Sequence, residues 1–151
     1  MFTHRRLLHR PEFAGGVEAA QTVSGAYDET VSRAVKLLPK QPPKILVVDA
    51  ARAARQVDAQ GRRVEAFAIV GENVVYLIAQ GDTLKRARRG PGVFDDYVLA
   101  TLIWHEMAHI AGADEREAQR QEEDLWREYL LARRVDTGRG LNYLTLLTKR
   151  H

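Results

Sequence analysis

The chain has 151 residues, 45% of them hydrophobic and 28% charged, which is the size and composition of one domain with its own core rather than of two. It contains no cysteine, so disulfide scaffolds, thiolate metal sites, iron–sulfur clusters and cysteine nucleophiles are excluded, and a metal would have to be held by histidine, carboxylate or water. The balance of 23 Lys+Arg against 20 Asp+Glu leaves only +3. The arginine pairs Arg5-Arg6, Arg62-Arg63, Arg88-Arg89 and Arg133-Arg134 are scattered along the chain, so they predict solvated surface and no nucleic-acid partner.

In chain order, residues 1–16 carry arginine and histidine without a sustained period and end in Gly15-Gly16, the pattern of a tail or lead-in to a single domain over 17–151. The first ten residues are basic, but Pro11-Glu12 arrives before any apolar stretch of a secretory leader, and no run of about 18 apolar residues occurs anywhere; no membrane partner and a cytoplasmic location are expected. Val31, Ala34, Val35 and Leu38 recur at spacings of three and four, predicting a helix over 27–38 that Pro39 ends. After Pro42-Pro43, the β-branched run KILVVD at 44–49 reads as a buried strand. Residues 50–63 carry no strong signal. The runs VEAFAIV and VVYLI within 64–78, divided by Gly71-Glu72-Asn73, read as a hairpin.

A short basic helix is expected over 83–89, broken by Gly90-Pro91-Gly92. Asp95 or Asp96 can then cap a strongly apolar helix that runs to about Ala111, with Gly112 at its C-terminal end. A second helix follows Asp114 and runs to about Arg134, where Asp136-Thr137-Gly138 ends it, and residues 141–149 are short and amphipathic. The sum is an α+β domain: an N-terminal helix, a small mixed sheet of about three strands, then a helical C-terminal half.

The chemistry lies in His105-Glu106-Met107-Ala108-His109. Two histidines four apart on a helix project from one face a turn apart, so both imidazoles reach one cation while Glu106 can face a water beside it, the arrangement of the HExxH zinc-protease motif. The host helix carries Tyr97, Val98, Leu99, Leu102, Ile103, Trp104, Met107 and Ile110, and such a buried helix does not accept two histidines and a glutamate without compensation, which a metal supplies. The competing reading is a pair of hydrogen-bonded histidines on a solvent-facing stripe. A catalytic zinc needs a third protein ligand and an open fourth position. Asp114, Glu115 and Glu117 are the candidates. Asp114 and Glu117 have the form of a capping box, which would occupy both with backbone amides and leave Glu115 as the preferred ligand.

On these residues the chain resembles the zincin metallopeptidases, specifically small single-domain ones of the minigluzincin kind. His105-Glu106-x-x-His109-x-x-Gly112-x-x-Glu115 has metzincin spacing with Glu in place of the third His, but no methionine lies downstream to form a Met-turn. Glu115-Arg116-Glu117-Ala118 is similar to the E-x-x-A of gluzincins whose third ligand is a glutamate on the following helix; Gln119 stands where many of them have Asp. The resemblance implies that the last strand before the active-site helix, residues 74–78, lies antiparallel to an extended substrate. It also implies an oxyanion-stabilising Tyr, His or Arg, and Tyr129, Tyr143 and His151 lie downstream without anything to select among them. Trp104 and Trp126 are expected to anchor the core.

The expected protein is therefore a hydrolase: a metallopeptidase with one zinc ion on His105, His109 and Glu115, in which Glu106 acts as general base for a metal-activated water and the partner is a peptide or protein substrate. The alternative, motivated by the few residues left to build substrate subsites, is a zincin-like scaffold that keeps zinc as structure and binds a protein through its hairpin edge.

Overall fold

Alternation along two short strands decides where the core lies. In the computed structural model, which describes residues 21–22, 25–50, 55, 63–69, 71–90 and 93–149, the strands are β1 (Gln21–Thr22), β2 (Ile45–Asp49), β3 (Ala66–Phe67) and β4 (Val75–Ile78). They form one mixed sheet in the order β1-β2-β4-β3: β2 and β4 are parallel, and β1 and β3 pair antiparallel at the two edges. Ile45, Val47, Ala66, Val75 and Leu77 fall on one face and join the main core, whereas Leu46, Val48, Phe67, Tyr76 and Ile78 fall on the other and form a second, smaller cluster in which Phe67 and Tyr76 stack across the strands at 4.8 Å. The two-residue β1 adds a fourth strand to the roughly three expected. The lead-in at 1–16, most of 51–62 and His151 lie outside the described residues.

The hairpin falls where the sequence puts it, with Gly71 at φ 87° in its turn. Its strand β4, however, is not an edge. β2 and β3 take both sides of it, so the expected placement of residues 74–78 alongside an extended peptide is corrected: the hairpin's outer edge belongs to β3.

The helices are α1 (Asp28–Val35), α2 (Asp82–Arg89), α3 (Val93–Ile110), α4 (Glu115–Leu131) and α5 (Thr137–Thr148), giving the α+β class that the sequence predicts. The Glu65 carboxylate caps α2 from the hairpin, accepting from Thr83 N at 2.7 Å and from Thr83 Oγ1 at 3.0 Å. Helix α3 begins at Val93, ahead of both aspartates expected to cap it. Asp96 is instead buried against Arg33 Nε of α1 at 3.2 Å, and Asp95 lies 3.6 Å from Arg86 Nε of α2, so long-range ion pairs claim both carboxylates. The second long helix stops at Leu131, short of the expected Arg134, with Arg133 in the left-handed region at φ 55°. Asp136 does not end that helix but starts the next, accepting from Arg139 N at 2.9 Å at the head of α5.

Helix α3 is the hub, because it touches the sheet, α1, α2 and α4. Leu99, Ala100 and Ile103 are fully buried on it, and Trp104 is half-buried against the core. Trp126 of α4 is fully buried, donating to Gly140 O at 2.9 Å and packing edge-on against Phe94 and Tyr143, which makes it the expected anchor between α3, α4 and α5. Among the described residues no helix is long and apolar enough to cross a membrane. Truncation of Ile103 to Ala is expected to lower stability by about 2–5 kcal/mol, whereas Leu146→Ala, at a position 59% exposed, should shift it by less than about 0.5 kcal/mol; urea denaturation of the two variants checks the contrast.

Candidate metal centre

Helix α3 ends in a glycine turn that builds half of the site. Gly112 adopts φ 106°, Gly112 N donates to His109 O at 3.0 Å and Ala113 N donates to Ala108 O at 3.0 Å, the paired bonds of a Schellman stop. A side chain at 112 would be strained at that φ. The turn swings the Ala113 carbonyl onto His109 Nδ1 at 3.0 Å. A carbonyl only accepts, so Nδ1 carries the proton and the Nε2 lone pair of His109 faces inward.

Asp114 then caps α4 through Glu117 N at 2.8 Å, which is the half of the expected capping box that forms. The reciprocal half does not: the Glu117 carboxylate turns outward and accepts from Arg120 Nη2 at 2.8 Å and from Gln121 Nε2 at 3.1 Å. Of the three candidate carboxylates, Glu115 is the one that reaches the histidines. Glu115 Oε1 lies 2.6 Å from His105 Nε2 and 3.3 Å from His109 Nε2, and the two Nε2 atoms are 3.1 Å apart.

His105, His109 and Glu115 thus form a group able to hold a metal ion. A fit test follows from bond lengths. Ligand atoms about 2.0–2.1 Å from a tetrahedral ion stand about 3.3 Å from one another. The pair distances of 3.1 and 3.3 Å meet that, and the 2.6 Å pair is a short charge-assisted hydrogen bond that holds His105 and Glu115 together when a proton occupies the place between them. His105 also presents Nδ1 to Glu122 Oε1 at 2.8 Å. Sequence reasoning did not single out Glu122; the signal was its spacing of seven from Glu115, which puts both carboxylates on one stripe of α4. Gln119, between them, donates to Leu147 O of α5 at 3.1 Å and takes no part in the cluster's contacts with the histidines.

The site is nearly dry, and its charges are set by that. Glu106 is 2% exposed; burial pushes its carboxyl up to about 8, His105 pulling the other way and Glu115 and Glu122 adding to the rise. Burial disfavours a charged His105, but hydrogen bonds to Glu115 and Glu122 outweigh it and hold its pKa well above the ordinary value. For Glu115 burial is likewise overcome, by the two imidazoles, and its carboxyl sits well below the usual carboxylate range. Burial prevails at His109, which is lowered despite Glu115.

Of the downstream candidates for an oxyanion partner, Tyr129 is engaged elsewhere. Tyr129 donates its hydroxyl to Leu37 O at 2.7 Å, and Tyr143 packs against Trp126 at 4.6 Å. Comparison with protein-family models, curated proteins and solved structures finds no match to this chain.

The pKa directions fix a pH dependence. The folded pKa of His105 lies above its unfolded value of 6.5, so its proton stabilises the metal-free fold below about pH 6.5 and that stabilisation is lost as pH rises through the raised pKa. Glu115 works the opposite way, stabilising above its ordinary 4.5 and losing the effect in acid. A divalent ion must displace the His105 proton, so its affinity, and the rise in melting temperature it produces, are expected to grow between about pH 6 and 8 with proton release; calorimetry in buffers of different ionisation enthalpy measures both.

Proposed function

We propose that this protein is a zinc-dependent metallopeptidase of the zincin type. The observation that carries the reading is the convergence of His105 Nε2, His109 Nε2 and Glu115 Oε1, within 3.3 Å of one another, beside a buried Glu106 one residue along the same helix. Two imidazoles and one carboxylate, with no cysteine in the chain, are the donor set of a catalytic zinc that keeps one position open. Bound there, zinc would polarise a scissile carbonyl and lower the pKa of a water toward about 7.

The remaining chemistry belongs to the chain. His109, with its proton fixed on Nδ1 by Ala113 O, offers a neutral ring to the ion. Burial pushes the Glu106 carboxyl up to about 8 in the metal-free chain, His105 already pulling against the rise; a cation held beside it would draw it down into the range where it accepts a proton from water near neutral pH and returns it to the leaving amine. Among the described residues β3 is the outer strand of the sheet on the hairpin side, the edge to which an extended peptide could add.

The second reading, a zincin-like scaffold with structural zinc that binds a protein through that edge, is favoured by one observation: His105, Glu106 and His109 are 8%, 2% and 0% exposed. Structural metal sites are closed and catalytic ones keep access.

Metal content and cleavage of a peptide library separate the two. Glu106→Gln is expected to retain stoichiometric zinc and lose at least about 100-fold in cleavage rate. Zinc in both proteins with cleavage by neither supports the scaffold, and a wild type that takes up no zinc removes both readings. Glu115→Ala should weaken zinc binding far more than Glu117→Ala, because the Glu117 carboxylate faces Arg120.

A further inference from the structure

The two histidines are steadied by different means. Ala113 O, which accepts from His109 Nδ1, is backbone, held in place by the Gly112 turn and beyond the reach of any side-chain change. The partner of His105 Nδ1 is a side chain, Glu122 Oε1, at 2.8 Å. Glu122 is 2% exposed and stands two turns beyond Glu115 on α4, so one helix delivers a carboxylate to each nitrogen of the same imidazole: Glu115 to Nε2 at 2.6 Å and Glu122 to Nδ1 at 2.8 Å. Burial of a carboxylate this deep carries a cost that the ring N–H offsets, and the position is occupied by Glu122 rather than by Gln119, whose amide is committed to Leu147 O of α5.

We propose that Glu122 is the positioning residue of the metal centre: by accepting from His105 Nδ1 it fixes that ring's tautomer and angle, and so determines how tightly His105 Nε2 holds the ion. This rests on the metal-binding reading above. With the bond in place the Nδ1 proton is committed to Glu122, and Nε2, once freed of its own proton, has its lone pair aimed at the point where His109 Nε2 and Glu115 Oε1 converge. Without it the ring is free to turn about its Cβ–Cγ bond or to place its proton on the metal-facing nitrogen, and each loses the ligand. Orienting partners of metal-bound histidines influence affinity by about 10–100-fold when removed, which is the range expected here.

The test uses the full chain, zinc as the probe, chelator competition to obtain Kd, and two-bond nitrogen–proton NMR of the histidine rings. Glu122→Leu, which keeps the volume and removes the acceptor, should weaken zinc about 10–100-fold and change the His105 tautomer pattern while leaving that of His109 in place. Glu122→Gln is the isosteric second variant, useful if Glu122→Leu fails to fold; its carbonyl accepts without charge, so an intermediate loss with the wild-type tautomer is expected. Gln119→Ala is the packing control: it should lower the melting temperature through the lost bond to α5 and leave zinc affinity and both ring signatures unchanged. Wild-type affinity and wild-type His105 signals in both Glu122 variants overturn this proposal while leaving the metal centre standing. A wild type that binds no zinc overturns both.

Discussion

Two imidazoles one turn apart on a buried helix, clasped by a carboxylate from the far side of a glycine turn, are the interaction on which the rest of the structure depends. Helix α3 is nearly all core, and a core does not hold three ionisable groups of Glu106, His105 and His109 without an answer to their desolvation. The answer comes from α4: Glu115 and Glu122 reach back to His105, while the Ala113 carbonyl between the helices meets His109. Removing any one partner would leave another buried group uncompensated, so α3, the Gly112 turn and α4 are bound to one geometry.

The remaining elements hold that geometry fixed. One face of the sheet supplies Val47, Val75 and Leu77 as a lid on α3, and α1 and α2 tie down its first turn through Arg33 and Arg86. On the opposite side α5 seats α4 with two bonds to its own backbone, from Trp126 to Gly140 O and from Gln119 to Leu147 O. Both donors lie on the helix that carries the two site carboxylates, so packing against α5 steadies α4, with Trp126 fully buried between the two helices.

The site was largely legible in the sequence because its determinants are local. The spacing of His105 and His109, a glycine three residues later and a cap at Asp114 with Glu115 left over are all readable within eleven residues. What escaped was non-local. Asp95 and Asp96 look like caps to a local rule, and only folding brings Arg86 and Arg33 to them. Strand β4 looks like an edge until the parallel pairing with β2, some thirty residues back, covers its second side. Glu122 sits in the polar run Gln121-Glu122-Glu123-Asp124, where nothing but helical phase relative to Glu115 distinguishes a buried carboxylate from a solvated one. Asp136 signals a helix boundary correctly, but a capping residue marks a start, and reading it as a stop hid the first turn of α5.

Burial acts on Glu106 in two opposed ways. It raises the carboxyl to about 8, which favours its neutral form at neutral pH, and it strengthens every charge interaction in the site by excluding water. The same enclosure limits what can approach. The side chains of His105 and His109 are 10% and 0% exposed, whereas that of Glu115 is 20% exposed, so the cluster meets solvent mainly on the α4 side, just past the Gly112 turn. A group approaching the cluster from solvent meets the Glu115 carboxylate before either imidazole. The chain between α3 and α4 thus bears on the cluster twice: it brings Glu115 to the two histidines, and it borders the side on which they meet solvent.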